Sequence, residues 1–332
     1  MKHIGLVGLG FIGKAHLDVY QHIENCQVTA ICTRNKVEDV DIIQSFNGSF
    51  VTDYEYLLNS KEIDIIDICV PTFLHEDYII KAARAGKHII CEKPLTLTPE
   101  SADRIMDEVH KNGVKLFVGH VLRFWPEYKA IKSLSETDKL KDIEIVHAKR
   151  LGQIPTWSDW FLHPEKSGGA LFDLHLHDID FVHYLVGEVE SVYAVGNQNK
   201  YGAWDHVMTT LIFKNKSKAF VEASQRMPIG YPFTMSLRAQ SAQGTLDFNL
   251  TAGENIENIE KGTKQFIYYN HEGKSAVTFE KSDAFQNELS YFINCLDKNQ
   301  ENTIIPLKDV LYTIQLLKNI EEALESGKQV YM

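Results

Sequence analysis

A glycine-rich turn between a strand and a helix fixes how this chain must begin to fold. Residues 3–8 form a short apolar run, Gly8-Leu9-Gly10-Phe11-Ile12-Gly13 follows, and residues 13–23 carry helical periodicity. The spacing G-x-G-x-x-G is a common one and gains meaning only in that strand–turn–helix context. There Gly8 permits the tight turn, Gly10 lets the backbone approach an anionic group, and Gly13 allows close packing of helix on strand. With Phe11 and Ile12 these glycines make the expected phosphate turn, because free N–H groups and the dipole at a helix N-terminus favour an anion. A dinucleotide is the ligand the pattern points to, and a glycine-rich turn holding nothing is the alternative.

Strand and helix signals go on alternating. Apolar runs at 28–32, 63–70, 89–92 and 115–119 are separated by helical runs at 36–46, 76–85 and 99–112, with a short strand at 50–52 and a short helix at 54–60. Such spacing calls for right-handed crossovers and a parallel sheet. From about residue 125 longer alternating stretches take over, at 142–151, 189–197, 207–213, 219–225, 234–239 and 266–269, all read as antiparallel strands. A helix near 173–186 interrupts them, and helices at 284–297 and 306–326 close the chain. The expected fold class is α/β: a doubly wound Rossmann domain over 1–122, then an α+β domain over 123–332 on a large open, mostly antiparallel sheet. Its C-terminal helix is free to pack back on the first domain.

With 332 residues, two domains are the ordinary expectation. The net charge of −11 argues against nucleic acid and against an anionic membrane surface as partners. No apolar run reaches membrane-spanning length, and no secretory leader precedes the first strand. The five cysteines show no CxxC pairing, and Cys32, Cys69 and Cys91 sit inside apolar runs, as in a reducing compartment. A cytoplasmic location follows as the expectation.

Two segments carry the chemistry. In Ala85-Gly86-Lys87-His88-Ile89-Ile90-Cys91-Glu92-Lys93-Pro94, Gly86 reads as a helix cap and His88 to Cys91 as a buried strand. Pro94 cannot donate to a sheet, so Lys93 falls at the carboxyl edge of the strand, where open parallel sheets bind ligands. In the second segment, Gly168-Gly169 precedes Asp173, His175, His177, Asp178 and Asp180. If Asp173 starts a helix, Asp173, His177 and Asp180 share one face, and a carboxylate beside a histidine suits proton transfer. A metal site is the competing reading. Yet His175 and His177 diverge by about 200° on a helix, so no metal is expected. The bland alternative makes Asp173 a helix N-cap, and His175 and Asp178 read as structural.

An acidic residue for the ribose hydroxyls is expected about 20 positions after the glycines. The second strand instead ends Cys32-Thr33-Arg34-Asn35-Lys36. Thr33 and Arg34 could hold a 2′-phosphate, which tilts the cofactor towards NADP over NAD, unless Arg34 is simply a solvated charge. Pro71, Thr72 and His75, after the strand at 63–70, are expected near the nicotinamide, although Thr72 and His75 serve equally well as a helix cap and a first-turn residue.

The pattern Gly8-x-Gly10-x-x-Gly13-x-x-His16, Glu92-Lys93-Pro94, Gly119-His120-x-x-Arg123-Phe124-x-Pro126 and Gly168-Gly169 followed by Asp173-x-x-x-His177-x-x-Asp180 resembles the Gfo/Idh/MocA oxidoreductase family. The resemblance spans the chain and rests on the combination and order of these motifs. It implies that Lys93 contacts substrate and nicotinamide, with Glu92 at the cofactor site. It also implies His177 as acid/base with Asp173 beside it, and an open C-terminal sheet that mediates a homodimer or homotetramer. The chemistry agrees: alcohol oxidation needs a hydride acceptor, a base for the hydroxyl proton and a cation for the developing alkoxide. Arg123, Trp125, Trp157, Asp159, Trp160 and, with less support, Tyr231 are the expected contacts to a sugar, inositol or related polyol; Trp157 and Trp160 are equally core candidates. The rivals are reduction of another carbonyl compound, a glycosidase using NAD transiently, and a non-catalytic dinucleotide-binding sensor. A cleft between the two domains is the expected place for the site.

Overall fold

The structure is a computed structural model that describes residues 1–154, 158–253 and 262–332. Continuous apolar runs become the inner strands of a six-stranded sheet, as burial on both faces requires. Its strands are β1 (Lys2–Val7), β2 (Cys26–Cys32), β3 (Ser49–Val51), β4 (Ile65–Ile68), β5 (His88–Glu92) and β6 (Leu116–Gly119). They are all parallel, in the order β3-β2-β1-β4-β5-β6. Successive strands are added on one side of β1 up to β3 and on its other side from β4, and this switch between β1 and β4 opens the crevice where doubly wound folds bind ligands. Local chemistry sets the helix ends. Thr98 caps helix Pro99–Asn112, Pro99 occupies its first turn, and Gly113 ends it at φ +63°.

The chain divides into two compact units, Met1–Phe124 with Ser282–Leu311, and Trp125–Lys281 with Tyr312–Met332. The helix Ala284–Asp297 thus belongs with the parallel sheet. Its buried Phe292 meets Phe117 of β6 with ring centroids 5.0 Å apart and Phe124 edge-on at 6.0 Å. Burying a side chain of that size contributes about 1.5–3 kcal/mol.

The second unit is built on nine strands: β7 (Ile145–Gln153), β8 (Val189–Gln198), β9 (Trp204–Phe213), β10 (Lys218–Met227), β11 (Thr234–Gln240), β12 (Thr245–Thr251), β13 (Thr263–Asn270), β14 (Gly273–Ala276) and β15 (Val330–Tyr331). Their order is β14-β13-β12-β11-β7-β10-β9-β8-β15. One expectation is corrected here: β7 and β10 run parallel, while the other pairs are antiparallel. One face of β8–β10 leaves Tyr193, Val195, Met208 and Phe220 exposed. The helix expected to start at Asp173 opens earlier, as a π-helical turn over Leu171–His175, and becomes α-helical over Leu176–Val186. Among the described residues no helix is long and apolar enough to cross a membrane.

Candidate functional site

The glycine turn after β1 has two packed positions and one open position. Gly8 takes φ +92°, and a Cβ there would lie 2.5 Å from the Cys69 carbonyl oxygen. A Cβ on Gly13 would lie 2.2 Å from the Gly8 carbonyl oxygen, so strand, turn and helix can close only without side chains. Gly10 faces open space, with nothing within 4 Å of a Cβ built there. It also caps helix Phe11–Tyr20 without a side-chain hydrogen bond, which leaves first-turn N–H groups for an anion. Phe11 is exposed and Ile12 half-buried. This arrangement fits a dinucleotide pyrophosphate.

At the end of β2 the Thr33 hydroxyl donates to the Asn35 carbonyl at 2.6 Å, and Arg34 is exposed. Two nearby carboxylates are engaged. Asp39 pairs with Lys14 at 2.8 Å and caps helix Val40–Ser45, and Asp53 caps helix Tyr54–Asn59.

Lys93 follows β5 directly, half-buried, with a cis peptide to Pro94. Glu92 Oε2 accepts the Lys93 N–H at 3.2 Å, and Glu92 Oε1 lies 3.3 Å from His16 Nε2. His16 Nδ1 in turn lies 2.8 Å from Asp67 Oδ2, which also accepts the Tyr20 hydroxyl at 2.9 Å. Glu92, expected at the cofactor, is therefore turned inward and nearly buried. Burial works against a charged His16 ring, but the Asp67 carboxylate and the hydrogen bonds to Asp67 and Cys69 more than offset it and hold its pKa well above the ordinary histidine value. His16, Asp67 and Cys69 offer metal-type ligand atoms within 4.8 Å of one another. Burial pushes the Cys69 thiol up to about 12, so it keeps its proton, and the trio is a hydrogen-bonded network.

The expectation for His75 is corrected by its burial. Its ring nitrogens face the carbonyls of Pro94 at 2.8 Å and Val70 at 2.9 Å, and burial holds its pKa below the ordinary value. It clasps the Lys93–Pro94 turn to the end of β4 rather than reaching a ligand. Thr72 is buried and Pro71 half-buried at the start of the same short helical turn.

Glu288, on helix Ala284–Asp297, completes the buried set. Neither carboxyl oxygen has a hydrogen-bond partner, and a Cβ on Gly119 would lie 2.9 Å from Glu92 Oε1 and 3.7 Å from Glu288 Oε2. Burial and then the Glu92 carboxylate push its pKa well above the ordinary value, so the folded protein holds it as the neutral acid. The unfolded chain ionises this group above about pH 4.3, so its contribution is complete below that pH and is lost as pH rises towards the folded value. His16 acts in the same sense above about pH 6.5. Glu288→Gln should flatten the alkaline fall in stability, by up to about 1.4 kcal/mol per pH unit, and make the protein more stable than wild type at pH 8. Denaturant unfolding at a series of pH values reads this, and parallel slopes for the two proteins would contradict it.

In the second unit Asp173 lies in the π-helical turn and His177 in the first turn of the α-helix that follows; both are half-buried. Residues around them anchor this segment. His175 is fully buried with Nε2 2.8 Å from Thr209 Oγ1, and burial pushes its pKa down to about 3, so it is a neutral structural group. Asp178 takes a bidentate pair from Arg150, at 2.8 and 3.2 Å, and Asp180 accepts the Thr313 hydroxyl at 3.2 Å. Asp180 is buried, three residues after His177 on the same α-helix. Asp173 Oδ2 accepts from the Gln225 amide at 2.7 Å.

Other expected contacts sort differently. Arg123 is corrected: its side chain is fully buried, and its Nη1 donates to the Ile304 carbonyl at 2.7 Å and to Asp309 at 2.8 Å. Its partner lies 186 residues away, beyond local pattern. Trp125 is half-buried at the start of helix Pro126–Ser135, and Trp160 stacks on Phe161 at 3.9 Å. Asp159 is exposed, Tyr231 is half-buried and Trp157 lies outside the described residues. Asp67, Glu288 and Gln225 are the polar groups that sequence reasoning missed. Asp67 alone gave a signal, as a carboxylate inside the apolar run of β4.

A family model described as an oxidoreductase family with an NAD-binding Rossmann fold matches residues 2–120, and one for the GFO/IDH/MocA C-terminal domain matches residues 128–247. The uncharacterized oxidoreductase YrbE of Bacillus subtilis is 28% identical over 336 residues, covering 98% of this chain and 95% of its own. Inositol 2-dehydrogenase of Rhizobium meliloti is 27% identical over 304 residues, covering 90% and 89%. A solved levoglucosan dehydrogenase in complex with NADH and levoglucosan superimposes with a TM-score of 0.81 at 23% identity, covering 99% of each chain, and shares the fold. Together with the glycine turn and the Glu92-Lys93-Pro94 edge, these matches show that the chain belongs to the Gfo/Idh/MocA oxidoreductase family.

Proposed function

We propose that the protein transfers hydride between a nicotinamide cofactor and a secondary hydroxyl or carbonyl group of a sugar, inositol or related polyol, with NADP preferred over NAD. The observation that carries this reading is Lys93, held half-buried at the carboxyl edge of β5 by the Glu92 carboxylate on its own N–H. The glycine turn and the free N–H groups of helix Phe11–Tyr20 would hold the pyrophosphate. The nicotinamide, when bound, supplies the hydride acceptor or donor. In the oxidising direction His177 takes the hydroxyl proton, Asp173 orients that exchange, and the Lys93 ammonium steadies the alkoxide oxygen as charge develops. The inward Glu92–His16–Asp67 chain fixes the turn beneath Lys93, so the ammonium needs little reorganisation. Incubating the protein with myo-inositol and common hexoses plus NADP or NAD, and following reduced-nicotinamide absorbance, tests the reading. Turnover of at least one polyol supports it, and dinucleotide binding without any turnover contradicts it.

The preference for NADP rests on Arg34, exposed at the end of β2, and on the engagement of Asp39 and Asp53 as helix caps. Lys14, paired with Asp39, offsets part of the negative charge beside that position. Arg34→Ala should weaken NADP binding roughly tenfold or more while leaving NAD within about twofold. Fluorescence titration with each dinucleotide measures this, and equal losses would remove the basis for the preference.

A further inference from the structure

Strand β10 is irregular beside the segment that bears Asp173. Its pairing with β7 runs residue against residue to Ser224–Leu151 and resumes at Met227–Gln153, so Gln225 and Arg226 together oppose the single Gly152. Burial loses its alternation at the same place, since Ala223, Ser224 and Gln225 are all buried. One extra residue in a strand re-aims the side chains around it. Arg226 turns outward to Asp205 at 3.5 Å, and the Ser224 hydroxyl oxygen accepts the Arg226 N–H at 3.1 Å. Gln225, 4% exposed, turns inward and donates from Nε2 to Asp173 Oδ2 at 2.7 Å.

Asp173 sits on a π-helical turn, whose i→i+5 ladder is wider and less regular than the α-helix that follows. A carboxylate on such a turn gains a fixed plane from a donor on the rigid sheet, and a bond to an ionised oxygen is stronger than one between neutral groups. We infer that Gln225 is a positioning residue of the active site, delivered by the β10 bulge to lock the carboxylate of Asp173. This rests on the proposed role of Asp173 in proton transfer. A buried amide could pack a core without touching a reacting group, but the bulge breaks the sheet ladder to place this one.

A double-mutant cycle on the intact chain decides it. Gln225→Met keeps length without the donor, Gln225→Glu sets a like charge against the carboxylate, and Asp173→Asn removes the charge. Without substrate, the effects of Gln225→Met and Asp173→Asn on the denaturant unfolding constant should be coupled by about fivefold or more. With myo-inositol, D-glucose and levoglucosan as probes, Gln225→Met should lower kcat about tenfold to a hundredfold with KM within about threefold. Gln225→Glu should fall further, and Gln225→Met should cost nothing more in the Asp173→Asn background. Additive unfolding effects, an unchanged kcat, or the same loss in both backgrounds overturn the inference. Wild-type turnover by Asp173→Asn alone would overturn the role of Asp173 while leaving the unfolding coupling in place, which separates the two failures.

Discussion

Lys93→Met is expected to lower turnover by about a hundredfold to a thousandfold, the loss typical when one stabilising donor at a developing oxyanion is removed. Methionine keeps an unbranched apolar stem, so the half-buried path of the side chain past β5 stays filled. The backbone N–H that bonds to Glu92 is unchanged, and the buried His16–Asp67 chain behind it is not touched. Dinucleotide affinity should therefore stay within about threefold, because the glycine turn lies on a different loop of the sheet. Steady-state kinetics and a fluorescence titration measure the two effects separately. An unchanged rate, or loss of dinucleotide binding along with the rate, would contradict the role given to Lys93.

The second large effect is on stability. Arg150 on β7 and Asp178 beside His177 form a bidentate pair, with side chains 3% and 0% exposed. Removing one partner leaves a buried carboxylate uncompensated, so Arg150→Leu should destabilise the protein by about 3–5 kcal/mol. The double variant Arg150→Leu with Asp178→Leu should recover much of that loss, since replacing both buried ions by apolar groups is often neutral. Urea unfolding reads both variants. A loss below about 1 kcal/mol for the single variant would show that the pair does not anchor the segment carrying His177.

The parallel sheet was legible because its signals are local. The apolar run of β4, the glycines after β1 and the proline after Lys93 each constrain only their neighbours, and each lies where its pattern implies. The second unit was harder to read. Alternation marks a strand but not its direction, so the parallel pairing of β7 and β10 left no trace in the pattern. The alternation of Leu246, Phe248 and Leu250 in β12 was present and missed, and β15 has only two residues. Polar groups failed for a different reason. Arg123 reads as a ligand contact until Asp309, far along the chain, is brought against it, and nothing in the spacing marks Glu288 until its helix docks on Phe117 and Phe124. Gln225 is turned inward by a bulge that a period-two pattern cannot register. Contacts across long sequence separations, and single-residue irregularities, are what composition and spacing do not encode.

Hydride transfer is the central claim, and an isotope label follows it most directly. A polyol turned over in the screen, deuterated at its secondary carbinol carbons, is incubated with the protein and oxidised NADP, and the nicotinamide product is weighed by mass spectrometry. One deuterium in the reduced nicotinamide, formed about a hundredfold to a thousandfold more slowly with Lys93→Met, is the predicted result. Polyol consumed with no label gained by the dinucleotide would contradict direct transfer.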